Sequence, residues 1–328
     1  MIDLIGHDNQ IENLFKNYKS DNLHSSIILY GPKGIGKRTL INNFILKILK
    51  DKTENKNYSH HINLFNNNTH PNIYLLEKEL DKKNKKLKSN ITIDQVRSLK
   101  QFMYESESIN ELNKLIIIDS ADDLNINSSN SLLKTLEEPS KKTFLFLISH
   151  QISSLLPTIR SRCLKIKLDK LNYENFNKIL KNNITNLKNE DSKFLYDLTL
   201  GSVGDTISIF QNNIIDIFDM TIKSFINNDL NNNLVLANSI SKFDNDQFKI
   251  YLSILKSILN ILNNLKNNSS DQNLYLSDKI NVLKDISNAL TTKNILDRFE
   301  FLSNNESDLF TYNLDKKLFI MKFLTYHN

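Results

Sequence analysis

A short apolar run, Ser26-Ile27-Ile28-Leu29-Tyr30, passes directly into Gly31-Pro32-Lys33-Gly34-Ile35-Gly36-Lys37-Arg38-Thr39, after which Leu40, Phe44 and Ile48 recur at helical spacing. That order of strand, glycine-rich loop and helix constrains the fold more than any other feature, because it opens a strand-helix-strand unit of a parallel sheet. The spacing G-x-x-x-x-G-K wraps successive backbone N–H groups around a phosphate at a helix N-terminus, with the lysine on the terminal phosphates. Gly31, Gly34, Gly36 and Lys37 are therefore candidate phosphate-binding residues. Glycine is scarce elsewhere: the chain holds 6, where average usage would supply roughly 23. With only 4 prolines as well, collagen-like, glycine-linker and many-turned all-β architectures are excluded, and long helices are left.

One position breaks the loop pattern. The residue after the lysine should carry a hydroxyl for Mg²⁺, yet Arg38 stands there and Thr39 is displaced by one. A guanidinium has only donors to offer and cannot ligate a metal. Since Mg²⁺ bridges the β- and γ-phosphates in phosphoryl transfer, its lost ligand predicts damage to turnover more than to phosphate binding. A second acidic element agrees. Leu115-Ile116-Ile117-Ile118 ends at Asp119, the form of a Walker B strand whose carboxylate would hold the Mg²⁺ hydration shell. Ser120 follows, where a water-polarising glutamate would stand, and Asp122 and Asp123 lie too far along to replace it.

Composition narrows the setting. A single cysteine cannot form an internal disulfide or a multi-cysteine zinc site, which fits a reducing cytoplasm. No apolar run reaches the roughly 18 residues of a membrane span, and the first residues lack a basic region followed by an apolar stretch, so a cytoplasmic protein without a membrane partner is expected. A net charge of +5 says little about nucleic acid at this size, and the asparagine tracts read as surface or loop.

Along the chain, Ile11, Leu14, Phe15 and Tyr18 mark a first helix. Residues 51 to 70 and 77 to 90 are polar, with Asp81 to Lys88 read as a solvated hairpin or loop, and Asn72 to Leu76 between them as a strand. Asp94 is the expected N-cap of a helix bearing Val96, Leu99 and Met103. A helix around Leu132, Leu133 and Leu136 stops at Pro139; strands at Phe144 to Ser149 and Leu164 to Leu168 follow. Strands alternating with helices imply a mainly parallel sheet covered on both faces. Beyond residue 169 only helical periodicity remains: three short helices about Phe176, Phe194 and Ile207, then long stripes such as Phe248 to Leu265.

The blocks Ile118-Asp119-Ser120-Ala121-Asp122, Asn130-Ser131-Leu132-Leu133-Lys134-Thr135-Leu136-Glu137-Glu138-Pro139 and Leu155-Leu156-Pro157-Thr158-Ile159-Arg160-Ser161-Arg162-Cys163 closely resemble the clamp-loader branch of the AAA+ proteins, in particular the δ′-type subunits of bacterial DNA polymerase III. The likeness is dense over about residues 1 to 205. It implies an α/β fold: an AAA+ P-loop domain at 1–168, a small helical lid at 169–211 and an all-α collar at 212–328. It implies that Arg162 is an arginine finger acting in trans on ATP bound by a neighbouring subunit, where a fixed guanidinium stabilises charge on the transferring phosphoryl group. Two of only five arginines stand in this motif; Arg160 stays open between a similar task and a structural ion pair. ATP-hydrolysing relatives resemble Gly-Ser-x-Arg-Asp where this chain has Gly201-Ser202-Val203-Gly204-Asp205, so the lid cannot supply its arginine.

Arg38, Ser120 and Gly204 together imply a catalytically silent subunit. It would belong to the DNA-directed DNA polymerase holoenzyme without ATPase or polymerase activity of its own, and help load the sliding clamp on primed DNA during replication. The resemblance also implies γ/τ motor and δ subunits as partners, met through the collar and the Ser161-Arg162-Cys163 face. The expected cofactor positions are the degenerate loop, Gly31, Gly34, Gly36, Lys37 and Thr39, with Asp119 a vestigial Walker B acid; ATP or ADP could occupy them without being required. No zinc is expected, because the four-cysteine module of many relatives is missing and His60, His61 and His70 read as loop histidines. Two other readings stand: an ATP-hydrolysing γ/τ-type motor subunit using Thr39 through a shifted loop, and an AAA+ initiator. The second would need a DNA-reading helix near the C-terminus, and none is evident.

Overall fold

Five parallel strands form one sheet in the order β2-β3-β4-β1-β5 in the computed structural model, which describes residues 4–53, 55–80, 87–104, 112–140, 142–184, 189–211, 214–227, 229–267 and 279–325. The strands are β1 (Ser26–Tyr30), β2 (Ile73–Glu77), β3 (Lys114–Asp119), β4 (Thr143–Ser149) and β5 (Leu164–Lys167). Helix α1 (Asp8–Lys19) precedes β1, and α2 (Lys37–Lys52), α3 (Asn55–Asn66), α4 (Ile93–Tyr104), α5 (Ile126–Glu137) and α6 (Pro157–Arg160) connect the strands. Residues of one strand alternate between two cores, because successive side chains leave a strand on opposite faces. Ile27, Leu29, Leu115, Ile117, Phe146 and Ile148 pack with Leu14 of α1 and Leu40 and Phe44 of α2. Ile28, Ile116, Ile118, Leu145 and Leu147 pack on the other side with Val96 and Leu99 of α4 and Leu132 and Leu136 of α5. The fold is thus the α/β class with a parallel sheet covered on both faces.

Two sequence expectations need correction. Residues 51 to 70 hold the helix α3, which carries His60 and His61, so these are not loop histidines. Its composition of Asn, Lys, Ser and His masks the periodicity, which rests on Phe65 with Tyr58 and Ile62 against the core. Asp94 is not an N-cap: α4 begins at Ile93, and Gln95 Oε1 accepts from the backbone N–H of Thr92 at 3.0 Å, one arm of a capping box. Asp94 instead accepts from Arg97 Nη1 at 2.8 Å. The basic run expected as a hairpin lies outside the described residues at 81–86; beside it, Leu80 and Leu87 form an antiparallel bridge.

The chain divides into two compact units, Met1–Lys170 and Leu171–Asn328. The second is helical throughout its described residues: α7 (Tyr173–Asn183), α8 (Asn189–Leu198), α9 (Val203–Gln211), α10 (Ile214–Asn227), α11 (Leu230–Ser241), α12 (Asn245–Lys266), α13 (Lys279–Ala289), α14 (Thr292–Thr311) and α15 (Lys316–Leu324). A small core gathers Leu171, just before α7, with Phe176, Leu180, Tyr196 and Val203 from the first three helices. The opposite sides of α8 and α9, at Phe194, Leu195, Leu198 and Ile209, belong to a larger core centred on α12. Among the described residues no helix is long and apolar enough to cross a membrane.

Asn233 on α11 is fully buried, and both atoms of its amide lack a hydrogen-bond partner among the described residues. A buried amide without partners costs about 1 to 3 kcal/mol, and leucine fills nearly the same volume. Asn233→Leu is therefore expected to raise the melting temperature by about 3 °C at roughly 1 kcal/mol gained. A melting scan in which the variant is no more stable than the parent would show that the amide is satisfied after all.

Candidate functional site

The carboxyl ends of β1, β3 and β4 bring Gly31, Asp119 and Ser149 side by side, since Tyr30 pairs with Ser149 and Asp119 with Ile148 across the sheet. Ligands of open α/β sheets bind at such an edge. Gly31, Gly34 and Gly36 all take positive φ, at 149°, 75° and 98°, where a side chain would be strained. Lys37 is buried and folds back on its own loop, with Nζ donating to the carbonyls of Gly31 at 2.6 Å and Pro32 at 2.5 Å. Lys37, expected to meet phosphate, is thus bonded to the loop's own backbone.

Arg38 answers the question left by the missing hydroxyl. Its Nε donates to Asn42 Oδ1 at 3.0 Å, one turn along α2, and its Nη1 reaches Asp119 Oδ2 at 3.2 Å. The carboxylate that would orient Mg²⁺ therefore holds a guanidinium. Thr39 sits one residue further along α2, turned by about 100°, and its carbonyl accepts from Asn43. The next acids are committed elsewhere. Asp122 accepts from the hydroxyls of Ser120 at 2.6 Å, Ser149 at 3.0 Å and Ser154 at 2.6 Å, and from the N–H of His150 at 2.6 Å and Gln151 at 3.2 Å. Burial alone would raise its pKa, but the hydrogen bonds from Ser120, Ser154, His150 and Gln151 outweigh it and hold the carboxyl below its usual range. Asp123 pairs with Lys78 at 3.1 Å. Asp122 thus ties the end of β4 to the turn after Asp119. The pKa of His150, beside the loop, is lowered first by burial and then by Lys37.

Ser161, Arg162 and Cys163 form the turn between α6 and β5. Proline at the first position of α6 starts this short helix, and the Arg162 N–H closes on the Ile159 carbonyl at 3.1 Å. The Arg162 side chain remains about one third exposed, at 32%. Its Nε donates to Glu137 Oε1 at 2.7 Å, its Nη2 to the same oxygen, and its Nη1 to the Thr158 carbonyl at 2.9 Å. Arg160 has a buried Nε with no hydrogen-bond partner among the described residues. Cys163 is buried, and burial pushes its thiol up to about 12, so it packs and does not react. In sequence, Glu137 and Asp122 carried no role of their own. Apart from Ser120, their partners lie 25 to 32 residues away along the chain, beyond any local pattern.

Among the described residues no group of three His, Cys, Asp or Glu side chains could hold a metal. Two of the histidines make a buried pair: His61 Nδ1 and His70 Nε2 lie 3.0 Å apart. His70 Nδ1 accepts from the Asn72 N–H at 3.1 Å, so neutral His70 carries its proton on Nε2 and donates it to His61. Burial, then the neighbouring His61, lowers the His70 pKa to about 4. Because the folded pKa lies below the unfolded 6.5, this contribution to stability is full above about pH 6.5 and is lost as pH falls toward 4. The expected loss between pH 7 and pH 5 is about 2 kcal/mol. Urea titrations at the two pH values measure it, and His70→Gln should flatten the difference; an equally steep loss in that variant would assign it to other groups.

A family model described as DNA polymerase III, delta subunit matches residues 6–172, just over half of the 328 residues. Over 141 residues the chain is 39% identical to the DNA polymerase III subunit delta′ of Pseudomonas aeruginosa, covering 42% of this chain and 41% of that protein. It is 32% identical over 142 residues to the Haemophilus influenzae subunit of the same name, covering 43% and 41%. The matched part thus spans about two fifths of the length of these curated relatives. A solved DNA polymerase III gamma subunit-related protein of Thermotoga maritima aligns with 97% of this chain and 98% of its own, at 16% identity and a TM-score of 0.42. Since the matched span contains the phosphate loop, the Asp119 strand and the Arg162 turn, the chain belongs to the DNA polymerase III delta-subunit family.

Proposed function

We propose that this chain is a δ′-like subunit of a DNA polymerase III clamp loader, silent in ATP hydrolysis, which gives Arg162 as an arginine finger to ATP held by a neighbouring motor subunit. The observation that carries this reading is the ion pair of Arg38 with Asp119. It puts a permanent, non-exchangeable cation on the carboxylate that a motor subunit keeps for Mg²⁺, so phosphoryl transfer loses the charge that would neutralise its transition state. Ser120 and Gly204 remove the water-polarising acid and the lid arginine in two further motifs.

With no working site of its own, such a subunit acts on the reaction from outside. A guanidinium held by Glu137 and Thr158 and still open to solvent is suited to that. In this reading residues 169–211 are the lid and 212–328 the collar that joins γ/τ and δ partners, and the assembled complex places the sliding clamp on primed DNA in the cytoplasm. The test is ATP turnover of the purified chain with Mg²⁺ beside that of the motor subunits with and without it. The chain alone is expected to show no turnover above background and to stimulate the assembled complex. Turnover by the chain alone at the motor subunit's rate would instead make it a motor subunit.

A further inference from the structure

We propose that Glu137 is the positioning residue for Arg162, fixing the guanidinium so that its outer fork is presented to a phosphoryl group on another subunit; this rests on the finger reading above. An arginine has five N–H donors in a rigid plane. Here the side-on pair, Nε and Nη2, is taken by one oxygen of Glu137, and Nη1 gives one N–H to the Thr158 carbonyl. That leaves one N–H on Nη2, while Nη1 gives its other N–H to Ser161 Oγ only at the long distance of 3.5 Å, a bond that a phosphoryl oxygen can replace to complete an end-on fork.

The place of Glu137 has no explanation within its own helix. It is the last residue of α5, at the end where unpaired carbonyls make the helix negative and a carboxylate is disfavoured. The carboxylate is nonetheless suited to reach across to the turn after α6, and α5 and α6 pack together. Two separate elements, α5 through Glu137 and α6 through Thr158, thereby restrain a side chain that would otherwise sample many rotamers. A finger held in one geometry spends no ordering at the moment of reaction, which is the advantage of a preorganised charge.

ATP turnover per assembled complex, with saturating partners and Mg²⁺, is the measurement. Arg162→Ala is expected to lower kcat at least tenfold, and Glu137→Ala about fivefold with the KM for ATP unchanged. Glu137→Gln keeps a carbonyl oxygen for the same bonds and should retain at least about half of the turnover. The double variant should be no slower than Arg162→Ala alone, because Glu137 acts only through that side chain. Normal kcat in Glu137→Ala beside a slow Arg162→Ala overturns the positioning role and leaves the finger standing. Normal kcat in Arg162→Ala overturns the finger reading itself. A double variant slower by the full product of the two effects, or Glu137→Gln as slow as Glu137→Ala, would show Glu137 acting by another route.

Discussion

Gly31→Ala is expected to melt about 10 °C below the parent chain, a loss on the order of 4 kcal/mol. Two causes add. The backbone at Gly31 has φ of 149°, where any Cβ is strained, and a Cβ built there would lie 2.2 Å from the carbonyl oxygen of Leu168. That oxygen belongs to backbone, not to a flexible side chain, and the strand end it follows is held in place by the Leu168 N–H bonded to the Tyr30 carbonyl at 2.8 Å. Relief would have to shift β5 away from β1. Gly36 supplies the comparison within the same loop, since its φ is 98° but a Cβ there meets nothing within 4 Å. Gly36→Ala should therefore lose only the conformational part, about 1 to 2 kcal/mol. Thermal melts of the two variants decide the matter: equal losses would mean that the contact with Leu168 contributes nothing. The first glycine of the loop is thus required by packing whether or not phosphate ever binds, and Lys37 is likewise employed on the loop's own carbonyls.

This explains why so much of the fold was legible in residues alone and so little of the site. Buried parallel strands announce themselves as unbroken apolar runs, and Ile27 to Leu29, Leu115 to Ile118 and Leu145 to Ile148 are all buried at the centre of the sheet. The loop was legible because its glycines answer a local backbone demand. The helix α3 was not, because residues such as Asn, His and Lys cover all but one side of it, and the demand that orders it comes from the core beneath Phe65. Charge partners were hidden for the same reason. Arg38 looked like a lost metal ligand in sequence; only the sheet, by bringing positions 81 residues apart to 3.2 Å, shows what it does instead. Thr92, not Asp94, opens α4 because Gln95 bonds back to it, a choice between two good caps that local preference does not make.

Arg38→Thr should convert the loop into a site that binds nucleotide only with Mg²⁺, tightening ATP by about a hundredfold, or ~2.8 kcal/mol, over the same variant in EDTA. In the parent chain Asp119 is neutralised by Arg38 and cannot attract a metal without giving up that pair, so any ATP affinity should be weak and indifferent to Mg²⁺. The substitution releases the carboxylate and places a hydroxyl where the motif needs one, after Lys37 and in the first turn of α2. In the proposed reading no hydrolysis should follow, since Ser120 stands where a polarising acid would be expected and Gly204 where a lid arginine would. Titration with a fluorescent ATP analogue, with Mg²⁺ and then with EDTA, separates the cases. Parent protein that already binds Mg²⁺ and ATP tightly, or an Arg38→Thr protein unaffected by the metal, would sink the idea that this one guanidinium stands in for the ion. If the variant binds and the assembled complex then turns over no faster, the arginine's value to the chain lies in keeping its loop folded and closed without a nucleotide.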